Sequence, residues 1–173
     1  MRELRSPPPR KALEALLAAE RSAEKGHPDD AIRQLRKALE IHPSLVEAHT
    51  NLGVQYCKAE QYEKGVEQFQ LALHYGSDSA QLQTNLAYGL LGLKHFREAE
   101  QAGRRAVKLD GSYTRGHYVL GHILGIYARF AVDKSVRGVY KAEALQHLRI
   151  SAEEIPGCDA CPTSESFARC DEL

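Results

Sequence analysis

The chain has 173 residues, enough for one ordinary domain, and its 43% hydrophobic and 27% charged content is that of a soluble globular protein. Lys plus Arg and Asp plus Glu stand at 23 each, so no net charge draws the chain toward phosphate backbones or anionic lipid. No charged n-region with an apolar stretch behind it opens the chain, no run of about 18 apolar residues could cross a bilayer, and the four cysteines, three of them near the end, are too few and too lopsided to build a disulfide fold.

Residues 1–11 hold Pro7-Pro8-Pro9 and three arginines and read as an extended lead-in. From there the chain repeats itself. Ala31, Gly65 and Ala99 are spaced 34 apart, and so are Leu35, Phe69 and Gly103; Ala38, Ala72 and Ala106; and Leu39, Leu73 and Val107. In the first half of each unit Leu52, Leu86 and Leu120 match, as do Asn51 with Asn85 and Gly53 with Gly121. A period of this length, kept by several small and large positions at once, is the mark of a helical repeat. Gly26-His27-Pro28, Glu60-Gln61 and Lys94-His95 punctuate the units at one phase, and Pro43, Pro156 and the Ser/Asp/Gly positions at 76–78 and 110–112 fall at their ends. Each unit therefore predicts helix A, a short turn, helix B and a second turn, over 12–45, 46–79, 80–113 and 114–156. The fourth unit is longer, with an insertion near Phe130 to Lys141 read as an extension of helix A followed by a basic, Gly-containing turn at Asp133–Gly138. Tyr140, Leu145, Leu148 and Ile155 are spaced for an apolar stripe on the last helix. Residues 157–173, rich in Gly, Pro, Ser and Asp, read as a flexible Cys-containing tail.

Glu47-Ala48-His49-Thr50-Asn51-Leu52-Gly53 followed by Tyr56, Tyr62, Gly65, Phe69, Ala72 and Leu73 resembles the tetratricopeptide-repeat (TPR) pattern, as do Leu82–Ala87 with Phe96, Ala99, Ala106 and Asp110. The resemblance implies an all-α fold, a right-handed superhelical solenoid of antiparallel helix pairs with about four repeats. Small residues such as Gly53, Ala87, Ala99 and Ala106 would let helices A and B approach, and stacked neighbours would complete a core that one pair cannot bury alone. The pattern departs from the family where Trp is common, with Ala15, His49, Gln83 and His117 there, and the histidines are expected to serve packing. Gly65 stands where Ala is usual and Gly103 where an aromatic is, and each is expected to soften its helix.

In TPR proteins the A helices line a concave groove. Carried over by register, the inward positions are Leu13, Leu17 and Glu20 in the first unit and Glu47, Thr50, Asn51, Val54 and Lys58 in the second. They continue with Gln81, Thr84, Asn85 and Tyr88 in the third and with Arg115, Tyr118, Val119 and His122 in the fourth. Two Asn amides in register offer a donor and an acceptor each to the peptide groups of an extended ligand. Capture of an acidic chaperone C-terminus is disfavoured, because the positions that would need Lys, Arg and Asn hold Leu16, Glu20, Asn51, Gln81 and Asn85.

No constellation for catalysis emerges. Cys158-Asp159-Ala160-Cys161 is a C-x-x-C without the strand pattern of a redox fold, and Cys158, Cys161 and Cys170 are weak candidates for a metal, lacking a defensible fourth ligand. His117 and His122 are five apart and lie on different helix faces, and no Walker, G-x-S-x-G or G-x-G-x-x-G motif is present. The sequence thus predicts a non-enzymatic scaffold without cofactor. Its partner is a protein or peptide, with self-association through repeat four as the alternative and no nucleic acid or membrane insertion. As written it belongs in the cytoplasm, with the periplasm open to a longer precursor.

Overall fold

A computed structural model describes residues 7–76 and 78–154, with side chains to Ala152. Among the described residues there are eight helices and no strand: α1 (Arg10–Glu24), α2 (Pro28–Ile41), α3 (Val46–Lys58), α4 (Tyr62–Tyr75), α5 (Ala80–Gly92), α6 (Phe96–Leu109), α7 (Thr114–Phe130) and α8 (Lys134–Glu154). They pair as hairpins α1–α2, α3–α4, α5–α6 and α7–α8, and the chain divides into two compact units at Asp78–Ser79.

The turn within a hairpin is the same device three times. Gly26, Glu60 and Lys94 take positive φ of 76°, 58° and 61°. The next residue closes the turn, as His27 N–H donates to Ser22 C=O, Gln61 N–H to Tyr56 C=O and His95 N–H to Leu90 C=O, each at 2.9 Å. This is a Schellman closure, which satisfies carbonyls that the ending helix leaves open. Only Gly26 adopts the left-handed conformation without steric cost. The following helices start on cues in the sequence: Pro28 and then Asp29 and Asp30 in the first turn of α2, and Ser79 at the start of α5, whose Oγ accepts from Leu82 N–H at 3.2 Å.

The first unit buries Leu16, Leu35, Leu52 and Tyr56 in one cluster with Ala12, Ala19, Ala38 and Ala48 between them. Close approach of α3 and α4 depends on two glycines. A Cβ on Gly53 would lie 2.5 Å from Phe69 Cε1, and one on Gly65 would overlap Cys57 Sγ. Gly65 is therefore a packing requirement set by the buried Cys57.

In the second unit Leu120, Leu124 and Ala144 form a buried cluster flanked by Val107 and Tyr140. A Cβ on Gly121 would meet Leu148 Cγ at 2.7 Å, so α8 lies close on α7 there. Two expectations change in this hairpin. Asp133–Gly138 is not a turn, since α8 already begins at Lys134; Asp133 Oδ1 accepts from Ser135 N–H at 2.7 Å and Val136 N–H at 3.3 Å and so caps the helix through Gly138. The stripe of Tyr140 and Leu148 packs inward, with Tyr140 stacked on Tyr127 at 5.1 Å and Leu148 against Gly121, while Ile155 lies outside the described residues. Arg104 of α6 ties α8 down by donating Nη1–H to Glu143 Oε1 at 2.5 Å and Nη2–H to Oε2 at 3.0 Å.

Candidate functional site

The A helices α1 and α3 carry the candidate positions of the first unit. Leu13, Leu17, Glu47 and Lys58 are exposed, and Thr50, Asn51 and Val54 are half-buried. Thr50 Oγ1 donates to Val46 C=O at 2.9 Å, which commits its hydroxyl to its own helix. Asn51 Nδ2–H donates to Glu20 Oε1 at 3.3 Å, a long bond across to α1. Beside this pair lies an open cleft of about 280 Å³ lined by Ala19, Glu20, Ala23 and Glu24 of α1, Leu35 of α2, and Asn51 and Gln55 of α3. Register alone did not single out Gln55 or Glu24, because both lie one turn or less beyond the positions carried over from the family pattern.

In the second unit α5 and α7 carry the equivalent positions. Gln81 and Arg115 are exposed and Tyr88 is 45% exposed. Thr84 is 0% and Asn85 6% exposed, which corrects their placement on an open face. The physical reason is Gly116 of α7: its missing side chain brings the backbone so close that a Cβ there would lie 3.3 Å from Thr84 Oγ1. Asn85 is left with little surface to match Asn51, and Val119 is buried as well. Tyr118 and His122 are half-buried and meet edge to face at 4.6 Å. His122 Nε2 is buried without a hydrogen-bond partner among the described residues, and burial holds its pKa below the usual imidazole value.

The two histidines at the family's aromatic position do more than fill space. His49 Nε2–H donates to Pro43 C=O at 2.8 Å, and the Gln68 side-chain amide lies 2.8 Å from its Nδ1. His117 repeats this in the fourth hairpin. Its Nε2–H donates to Gly111 C=O at 3.0 Å, which leaves Nδ1 to accept from His147 Nδ1–H at 2.7 Å. Each ring pins the loop before its helix to the helix that follows, so the expected packing role is joined by a polar one. His147 is held below the usual imidazole pKa by burial first and then by His117, with Glu143 opposing.

Among the described residues no group of three or more His, Cys, Asp or Glu is gathered for a metal. Cys158, Cys161 and Cys170 lie outside the described residues. Among the described residues no helix is long and apolar enough to cross a membrane.

No family model matches the chain, and no curated protein matches it by sequence. Solved structures do match in fold. A crystal structure of MamA aligns with a TM-score of 0.70 at 20% identity, covering 94% of this chain and 85% of that one. YrrB, described as a TPR protein with an unusual peptide-binding site, aligns at 0.66 and 21% identity over 94% of this chain and 92% of its own. The first TPR domain of Spaghetti (RPAP3), bound to the HSP90 peptide SRMEEVD, aligns at 0.65 and 19% identity over 68% of this chain and 96% of its own. The fold is that of TPR proteins, an all-α helical solenoid of about four repeats.

Proposed function

We propose that this chain is a non-catalytic scaffold that holds a protein or peptide segment against its A helices. The observation that carries this reading is the set of side chains that folding leaves outward there: Glu47 and Lys58 on α3, Gln81 and Tyr88 on α5, and Arg115 on α7. An exposed tyrosine on a helix that also presents polar side chains suits recognition better than it suits solubility, because aromatic area at a surface is the usual anchor of an interface. The peptide sites named for YrrB and for the RPAP3 domain lend the same reading to this fold. An acidic ligand such as the HSP90 peptide is disfavoured, since the carboxylate of Glu20 stands beside Asn51 at the cleft between α1 and α3 and would repel it.

Selection of peptides from a displayed random library on the full chain tests the reading. Tyr88→Ala and Asn51→Ala together are expected to weaken the selected binders at least tenfold, while binders indifferent to both changes would move the site off the A helices. A second reading, self-association through the fourth hairpin, is favoured by Phe130 at 72% and Val132 at 95% exposure on its tip. Light scattering at high concentration separates the two, because a strict monomer ends the second.

A further inference from the structure

The cleft between α1 and α3 has a chemical character of its own. Its walls are Ala19, Ala23 and Leu35, its mouth carries the carboxylates of Glu20 and Glu24, and its polar lining is the two amides of Asn51 and Gln55. Gln55 is only 7% exposed, and its side-chain amide has no hydrogen-bond partner among the described residues. The amide atoms are not fully enclosed and stay open beside the cleft, where they can take a donor or an acceptor from outside. Here the amide borders a space that the chain does not fill, so an outside group can complete it. Arg36 of α2 is already committed, with Nη2–H donating to Tyr56 Oη at 2.8 Å. Glu24 has no ion-pair partner among the described residues.

From this we propose that the cleft is a pocket for one cationic side chain, lysine or arginine, of the bound segment. The proposal rests on the scaffold reading for the source of that side chain but stands on the pocket's own chemistry. A volume of about 280 Å³ falls just under the range of small-molecule sites and matches a single long side chain. The aliphatic stem lies along Ala19, Ala23 and Leu35, as long basic side chains cover apolar surface elsewhere. The charged head meets Glu20 and Glu24 at the mouth, and a guanidinium, with five N–H donors in a planar fork, has enough donors to reach the Gln55 and Asn51 amide oxygens as well. An acidic pair alone would be an ordinary solvated surface. The unpaired, nine-tenths-buried Gln55 is what makes this one a site.

The probe is N-acetyl-arginine amide, compared with N-acetyl-citrulline amide, which has nearly the same shape and no charge. Both are titrated into the isotope-labelled full chain and followed by NMR. Saturable shifts of the Gln55 and Asn51 side-chain amides are expected with the arginine compound. The citrulline compound and the Glu20→Gln, Glu24→Gln double variant are each expected to bind at least tenfold more weakly, and the arginine signal is expected to fall with added salt. A Gln55→Met variant, which keeps the volume and removes the amide, is expected to weaken binding without changing the helical circular dichroism. Equal shifts from both compounds, or none at Gln55 at the highest concentration reached, would overturn the proposal. Library binders without a basic residue that still depend on Tyr88 would overturn it too while leaving the scaffold reading intact. Arginine binding without any peptide binder would do the reverse.

Discussion

Gly65→Ala sets a local gain against a tertiary loss. In a helix interior the change gains about 1 kcal/mol of intrinsic propensity. The new methyl, however, would overlap Cys57 Sγ and sit 3.1 Å from Gly53 C=O, inside a hairpin whose other contact is the buried Phe69 ring. Overpacking of this kind costs roughly 1–3 kcal/mol. Cys57→Ala removes the sulfur and by itself loses roughly 1 kcal/mol of buried surface. In the double variant the methyl occupies the space the sulfur left, as at the equivalent positions Ala23 and Ala31 of the first repeat. A favourable coupling of about 1–2 kcal/mol between the two changes is therefore expected. Guanidinium unfolding followed by circular dichroism measures it as the shift of midpoint at constant slope in the four proteins of the cycle. Effects that add within about 0.5 kcal/mol would show that Cys57 does not dictate Gly65, and the account of the α3–α4 contact would fail.

Glu60→Gly and Lys94→Gly, at the two left-handed turn positions, should each stabilise the protein by about 0.5–1 kcal/mol; a loss of stability in thermal or denaturant unfolding would contradict the strain read from their φ values. Arg104→Ala should cost no more than about 1 kcal/mol, because Arg104 is 44% exposed, and should cost less in 1 M salt; an unchanged loss in salt would mean packing, not charge, joins it to Glu143. His122 and His147 are both held below the ordinary 6.5 in the fold, so the unfolded chain takes up protons first as the medium is acidified. Their contribution is present above pH 6.5 and is lost as pH falls below it through the folded-state values, and His147→Gln, the residue found at Gln68, should flatten that slope. Burial raises the Cys57 thiol to about 11, so alkylation of Cys57 at pH 7, read by peptide mapping, should proceed only at the rate at which α3 and α4 open.

The helices were legible because one period carries them. Apolar positions spaced at 34 named the core, and the turn signals at Gly26, Glu60 and Lys94 lie where the chain turns. The fourth unit was less legible for a physical reason. Continuing the step from Lys94 would put the next turn at residue 128, but Ala128 is a buried residue within α7, and the turn falls instead after Phe130. Gly138 then reads as a breaker, although an aspartate cap five residues earlier is enough to start a helix that runs through it.

The candidate face shows a different limit. Thr50-Asn51 and Thr84-Asn85 are the same dipeptide at the same phase of two A helices, and register gives them one role. Their surroundings give them two. Thr84 is sealed by the backbone of α7 at Gly116, whereas Asn51 reaches Glu20 beside an open cleft. Whether a side chain meets a ligand depends on the residue facing it from the neighbouring helix, and no property of its own repeat encodes that. Gln55 escapes a reading of the sequence for the same reason. A glutamine in a helix is an ordinary surface residue by composition, and it becomes chemically distinct only when its side chain is largely buried and its amide is left facing an open cleft.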